Sequence, residues 1–352
     1  MELDLKYGTG TIKVHIPESA HAQILEPNHL DPVDSVGLEL TSALALVNAT
    51  ASKITQRLKS ASTVSIAIPD ETRPLPVKEI LPGLLNWLFE NVPGLDPAGI
   101  SIIVGGGLHP PLDRATLDRL VPASIAGDCQ VIGHDANQSP MVDYGHTSRG
   151  TPVRINAQMA EADFKIVVGQ IDPHQFVGFT GGSKGIIIGC GSSETIEHNH
   201  SLMFHDSAQV GILHGNPVRE DLNEAGEMVG IELAINFILA PSKKVVQVLA
   251  GNPLEMLIEG AQTCAALYGV EIDEEFDIVV ASCGGYPKDI CLYQAQKGLN
   301  LASQAVKKGG HILLLAASTQ GVGDDVYFDY VSQFTSPEEV LTDFKEQGFR
   351  MG

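Results

Sequence analysis

Between Val168 and His200 the chain reads VGQIDPHQFVGFTGGSKGIIIGCGSSETIEHNH, with a lone lysine, Lys184, in a glycine-rich turn between His174 and His200. A packed core gains little from such a segment, whereas a reactive site could use each part of it. A lysine in a constrained loop can become a point of covalent attachment once it loses its proton. Imidazoles, which ionise near neutrality, can act as bases or metal ligands. The GFTGGSKG run, with Gly181 and Gly182, has the glycine spacing of a phosphate-cradling loop. A Walker A loop needs Ser or Thr after the lysine, however, and Gly185 stands there, which disfavours a P-loop NTPase.

Four further stretches carry chemistry-bearing residues. IPDETRPLP offers Asp70, Thr72 and Arg73; an arginine can grip a carboxylate with two parallel hydrogen bonds, but the same residues suit a capped turn entering a helix. GGGLHPP, with Gly106 and His109, allows close backbone approach to a ligand and leaves a histidine at the rim; it is not GxGxxG, so no dinucleotide fingerprint is present. EHNHSLMFH supplies His198, His200 and His205, without an HExxH or a cysteine pair to complete a zinc set. YQAQK puts Gln294 and Lys297 at i and i+3, on one face of a helix, where they could reach a ligand or form a solvated polar surface.

These residues need strands and helices to position them. Short apolar runs, TVSIAIPD, SIIVGGG, QVIGHD, FKIVVGQ, FDIVVASCGG and HILLLAAS, are continuous rather than alternating, as in parallel strands covered on both faces. Helical patterns such as PVKEILPGLLNWLFE and DICLYQAQKGLNLASQAVKKGG separate several of them, the alternation of an α/β fold. In the latter, Leu292, Ala295, Leu299, Ala302 and Val306 form the expected buried stripe. The first residues, LDLKYGTGTIKVHIP, predict a β-hairpin. Ligands of open α/β sheets bind at the carboxyl ends of strands, so Asp70–Arg73, Gly105–His109 and Asp172–Lys184 are expected on one rim.

A length of 352 residues predicts two domains, and the acidic GVEIDEEFD before a fresh strand–helix–strand unit places their boundary, giving 1–271 and 272–352. The net charge of −21 disfavours nucleic acid and anionic membranes as partners. No run has the length of a bilayer span, and MELDLKYGTG lacks a signal pattern, so the expected location is the cytoplasm. Five cysteines without a CxxC pair fit reduced thiols.

Taken in order, D-x-T-R-P from Asp70, G-L-H ending at His109, the block from His174 to Lys184, Asn199-His200 and Y-Q-x-x-K from Tyr293 resemble the lactate racemase family. These are the nickel-pincer-nucleotide-dependent racemases and epimerases of 2-hydroxy acids. His134 to Asn156 is similar to that family's connecting segment, and the resemblance covers nearly the whole chain. It implies two α/β domains with mainly parallel sheets, an N-terminal hairpin and an active site in the interdomain cleft.

It further implies a lysine-tethered nickel complex of pyridinium-3-thioamide-5-thiocarboxylic acid mononucleotide, with Lys184 as the tether and His200 as the protein ligand to nickel. Asp70, Gly106, Gly181 and Gly182 fall to cofactor binding. His109 and His174 match a pair of bases, one for each enantiomer, because hydride removal gives a planar 2-keto acid that can be reduced from either face. Arg73, Gln294 and Lys297 match the substrate-binding residues, and proteins of cofactor synthesis are expected partners. Ile188 stands where many relatives have proline. The chain ends at GFRMG, where relatives usually continue into a segment with an active-site aromatic, which leaves the particular hydroxy acid open. The competing readings are a zinc hydrolase using His174, His198 and His200, and a hydroxy-acid-binding protein without turnover.

Overall fold

The computed structural model describes residues 1–323 and 325–347, so the GFRMG end lies outside the described residues. The chain opens with the antiparallel hairpin β1 (Glu2–Tyr7) and β2 (Gly10–His15). It then runs through α1 (Val36–Thr50), α2 (Ser52–Lys59), β3 (Val64–Pro69), α3 (Val77–Asn91), β4 (Ile100–Gly105), α4 (Arg114–Leu120), α5 (Ala123–Asp128) and β5 (Gln130–Gly133). Next come the hairpin β6 (Met141–His146) and β7 (Pro152–Asn156), α6 (Ala157–Ala160) and β8 (Phe164–Gln170). The short pair β9 (Pro173–His174) and β10 (Gly178–Phe179) leads to α7 (Lys184–Ile187) and α8 (Ser193–Ser201). α9 (Pro217–Val229), β11 (Leu233–Leu239), β12 (Val245–Gly251) and α10 (Pro253–Tyr268) follow. The remainder is β13 (Phe276–Ser282), α11 (Leu292–Ala302), β14 (Val306–Leu315), α12 (Asp325–Val331) and α13 (Pro337–Gln347).

Two compact units result: Pro27–Gly269, and Met1–Glu26 together with the chain from Val270 onward. The sequence places the opening hairpin in the first domain, but the hairpin packs with the C-terminal strands. The reason is polar as well as apolar. Buried Asp289 accepts hydrogen bonds from the amides of Gly8 (2.7 Å) and Ala317 (3.1 Å), and Ser282 Oγ donates to the Lys6 carbonyl.

The larger unit is built on a six-stranded sheet in the order β12-β11-β8-β3-β4-β5. All neighbouring pairs are parallel except β11 with β12. Alternation along each strand serves two cores. Ile66 and Ile68 of β3, with Ile166 and Val168 of β8, join Leu40, Leu44, Leu84 and Leu88 of α1 and α3 on one face. Ala67 and Val167 point the other way, into Ile186, Ile187, Val218 and Leu222 of α7 and α9. Burial on both faces explains the continuous apolar runs, since no position on such a strand is left for water.

In the smaller unit β13 and β14 pair in parallel. The helix α11 is shorter than its sequence pattern suggests. Ala295 and Ala302 are buried, but Leu292 and Leu299 are exposed, and Val306 already belongs to β14.

His134, just past β5, fastens that edge to the site. Its Nε2 donates to the Gly191 carbonyl (2.9 Å), and its Nδ1 accepts from Asn156 Nδ2 (3.2 Å). Burial lowers its pKa from 6.5, outweighing the Gly191 hydrogen bond and Asp135, which raise it. The unfolded chain therefore takes up a proton near the ordinary value of 6.5, and the folded chain only at lower pH. Stability is expected to fall as pH drops below that value. Melting temperatures between neutral pH and about pH 5 should show this slope, and His134→Gln should flatten it. An unchanged slope would remove His134 from the cause.

Candidate active site

The central strands end where their connections diverge. From β3 the chain steps outward to β4 and β5, then returns to place β8 and β11 on the other side of β3. Such a switch point leaves a crevice at the carboxyl ends of the strands. A pocket lies there, lined by the ends of β3, β4 and β8 and the turn into α7. Its non-atom space is about 670 Å³, a figure that includes the open solvent at its mouth. The lining brings together Asp70, Arg73, Gly106, His109, Gly181, Gly182 and Lys184, the three stretches the sequence assigns to one rim.

Asp70 follows β3 and is almost fully buried. Its Oδ2 lies 2.6 Å from His109 Nδ1, and its Oδ1 accepts from the Thr72 amide (3.1 Å) and hydroxyl (2.5 Å). Burial pushes this carboxyl up, but the His109 and Thr72 hydrogen bonds together outweigh it and hold the pKa below the ordinary 3.8. An ionised carboxylate only accepts, so His109 carries its proton on Nδ1 and leaves Nε2 as an acceptor. Gly106 lies tight against this pair. A Cβ there would stand 3.3 Å from Asp70 Oδ2 and 3.4 Å from His109 Cβ.

Arg73 is anchored at the turn by its own amide on the Asp70 carbonyl (3.2 Å), and it lines the pocket half-buried. No acidic side chain among the described residues pairs with it.

Several glycines serve chain-to-chain contact rather than a ligand. Gly105 backs onto Gly189, whose carbonyl would lie 2.7 Å from an added Cβ, and the Gly107 amide donates to that same carbonyl. Gly181 has φ +90° and Gly182 +58°, and the Gly182 amide is already bonded to Asn236 Oδ1 (3.3 Å). Ile188 is buried in the lining, and its amide donates to the Lys184 carbonyl (3.0 Å), a bond proline could not make.

Lys184 is the first residue of α7 and reaches the pocket. Behind it His174, Phe176 and His200 form a ring cluster, with centroids 4.6 Å apart for His174–Phe176 and 5.1 Å for Phe176–His200. Burial, then the charge of Lys184, then His200, Arg219 and Arg73, hold His174 well below the ordinary imidazole value. Burial and then Lys184 push His200 down to about 3. Both imidazoles are therefore neutral near pH 7, the form that ligates a metal or accepts a proton. The Val177 amide points at His174 Nδ1 over 3.4 Å, which favours a proton on Nε2.

His198 is on the opposite face of α8 from His200, its Nδ1 on Thr151 Oγ1 (2.9 Å). Among the described residues no three His, Cys, Asp or Glu side chains are grouped to hold a metal ion. The His174/His198/His200 set is thus not assembled as a zinc site. Gln294 and Lys297 do share one face of α11 in the smaller unit, with Lys297 Nζ donating to Gln294 Oε1 (2.9 Å).

Two lining residues escape the sequence reading. Gly169 of β8 faces open space, with no atom within 4 Å of a Cβ built there. Gln170 beside it keeps a buried amide oxygen without a hydrogen-bond partner among the described residues. A bare floor and an unsatisfied acceptor suit a bound polar group. No described helix is long and apolar enough to cross a membrane.

Residues 7–211 match the lactate racemase N-terminal domain, and residues 272–349 match the lactate racemase C-terminal domain. The lactate racemase of Lactiplantibacillus plantarum is 30% identical, over 96% of this chain and 80% of its own. That of Thermoanaerobacterium thermosaccharolyticum is 27% identical, over 98% of this chain and 81% of its own. The lactate racemase apoprotein structure from T. thermosaccharolyticum superposes with a TM-score of 0.89 at 26% identity, covering 99% of this chain and 82% of that one. A Thermotoga maritima protein, 17% identical, shares the fold at a TM-score of 0.66, over 90% of this chain and 80% of its own.

Proposed function

The chain belongs to the lactate racemase family, and from that premise we propose that it is an isomerase that racemises or epimerises a 2-hydroxy acid. The observation that carries the reading is one pocket holding the Asp70–His109 pair, Arg73 and Lys184 at the switch point of the sheet. A carboxylate grip, a base with a fixed tautomer and an attachment point for a hydride acceptor are what inversion through a 2-keto acid on a tethered cofactor would use.

The residues present fit the family's nickel-pincer nucleotide. Lys184 would tether it, and neutral His200 would supply the protein's ligand to nickel, so no cluster of protein ligands is needed. The open floor at Gly169 and the unpaired Gln170 oxygen provide room and a polar contact for the bound group. Once bound, that group supplies reversible hydride acceptance.

The chain's own side chains do the rest. Arg73 orients the substrate carboxylate by a bidentate hydrogen bond. His109 Nε2, its ring fixed by Asp70, takes the hydroxyl proton of one enantiomer. His174 is the second acid–base group: with both ring nitrogens protonated it would give one proton to the keto oxygen and be left a neutral imidazole, a transfer its lowered pKa favours. For the other enantiomer the two histidines exchange these parts.

The test is the intact mass and nickel content of the protein made alongside a working cofactor-synthesis pathway. The expected result is a nucleotide-sized adduct at Lys184 with about one nickel per chain. His200→Ala should lose the nickel and keep the fold. A bare protein that still inverts a hydroxy acid would overturn the cofactor assignment.

A further inference from the structure

The helix α9 begins with three polar side chains, Asn216, Arg219 and Asp221, that are each 0% exposed. Complete burial of an arginine and an aspartate is expensive unless every polar atom is used. Here the partners are the two segments that carry Lys184 and His200.

Asn216 caps α9 with Oδ1 on the Val218 amide (3.1 Å) and the Arg219 amide (3.3 Å). Its Nδ2 donates outward, to the carbonyls of Phe176 (2.9 Å) and Ile212 (3.0 Å). Arg219 continues along the same strand of chain. Nε donates to the Val177 carbonyl (3.4 Å), Nη1 to that of Gly181 (3.4 Å), and Nη2 to that of Phe179. The segment from His174 to Lys184 is thus wrapped on a planar donor fork whose geometry is fixed by the guanidinium. Burial pushes the pKa of Arg219 down to about 9, which leaves it charged near pH 7.

Asp221 holds the other side. Its Oδ1 accepts from Thr147 Oγ1 (2.5 Å), and its Oδ2 accepts from Thr151 Oγ1 (2.8 Å) and Asn199 Nδ2 (2.8 Å). Asn199 Nδ2 also donates to the Val218 carbonyl (3.1 Å), and Thr151 in turn meets His198. These bonds hold α8 at His198 and Asn199, the two residues that precede His200.

We propose that the first turn of α9, through Asn216, Arg219 and Asp221, is the positioning hub that sets the spacing between Lys184 and His200. The proposal rests on the reading of those two residues as the attachment points of one bound group. A single rigid turn then holds both ends of the site, which are joined in sequence only by the glycine-rich α7 region.

The test combines amide hydrogen exchange of the unloaded full chain with adduct and nickel measurements on the loaded one. Arg219→Met should speed exchange in residues 174–184 by about tenfold or more, with α8 and the strands β3 and β4 close to wild type. Asp221→Asn should do the reverse, loosening residues 193–201 and leaving 174–184 unchanged. In the loaded protein Arg219→Met should lower the Lys184 adduct by about tenfold, and Arg219→Lys, which keeps the charge without the planar fork, should recover little of it. Asp221→Asn should keep the adduct and lose nickel. Should either buried variant fail to fold, Thr151→Val, which deletes a single bond to Asp221, should still accelerate exchange in α8.

Uniform acceleration across the sheet, or no change in either segment, would overturn the hub. So would full adduct and nickel in Arg219→Met. If the wild type carries neither adduct nor nickel, the cofactor reading fails, and the segment-specific exchange alone decides for or against the hub.

Discussion

Lys184→Ala is expected to abolish both the covalent adduct and turnover, a fall of about a thousandfold or more. The lysine starts α7, lines the pocket, and lies close enough to His174 and His200 for its charge to lower both pKa values after burial has done so. A charge in that place could matter in two ways, as a covalent anchor or as a cation that keeps the two imidazoles neutral. Lys184→Arg separates them. The guanidinium keeps the charge but does not form the thioamide, so the anchor reading predicts that it is as inactive as alanine. Peptide mass mapping and initial rates in both directions would measure this. Turnover near the wild-type rate in Lys184→Ala would end the tether assignment, and turnover in Lys184→Arg alone would leave only the charge.

Asp70→Asn is expected to lower kcat by about 10²- to 10⁴-fold with little change in KM. In the proposed mechanism the carboxylate, 2.6 Å from Nδ1, fixes the His109 tautomer and would stabilise the imidazolium formed when the ring takes a proton. Asparagine is close in shape, and it can keep contacts with Thr72, but it carries no charge. It can also offer its NH₂ to Nδ1, which would place the ring proton on Nε2 and leave no acceptor facing the pocket. His109→Asn should fall by a similar factor, and the double variant by little more than either, because the two residues act as one unit. Losses that instead multiply would separate them. The pH dependence follows from Asp70's lowered pKa. The carboxylate contributes its stabilising bonds above the ordinary value of 3.8, and that contribution is lost as pH falls through the lower folded value.

The larger unit was legible in the sequence because strands buried on both faces write continuous apolar runs. VSIAIP, ISIIVG and FKIVVGQ became β3, β4 and β8, and the polar residues after them met at one pocket. The Asp70–His109 contact was not legible, since β3 and β4 bring together residues 39 apart in sequence. The α9 hub escaped for another reason. Nothing in the polar types of Asn216, Arg219 and Asp221 tells them from a solvated helix start, and only the fold reveals that all are buried against backbone carbonyls and hydroxyls. An Asn-Pro pair, an N-cap followed by proline at the first helical position, starts both α9, at 216–217, and α10, at 252–253. On α11 the apolar stripe misled, because leucines at helical spacing do not themselves show whether a second layer covers them.

The vacant ground in front of Gly169 has an evolutionary consequence. Most glycines around this pocket are pinned by neighbouring chain, and any larger residue there would be punished at folding, whatever the protein is for. At Gly169 a methyl group would touch nothing, and alanine is the easier residue to hold in a strand. The fold therefore exerts no steric veto at this site, and the dimensions of the guest molecule are left as the filter. Across descendants of this chain, drift from glycine to alanine or serine at 169 would record a change in what the pocket accommodates, independently of any change in how well the protein folds.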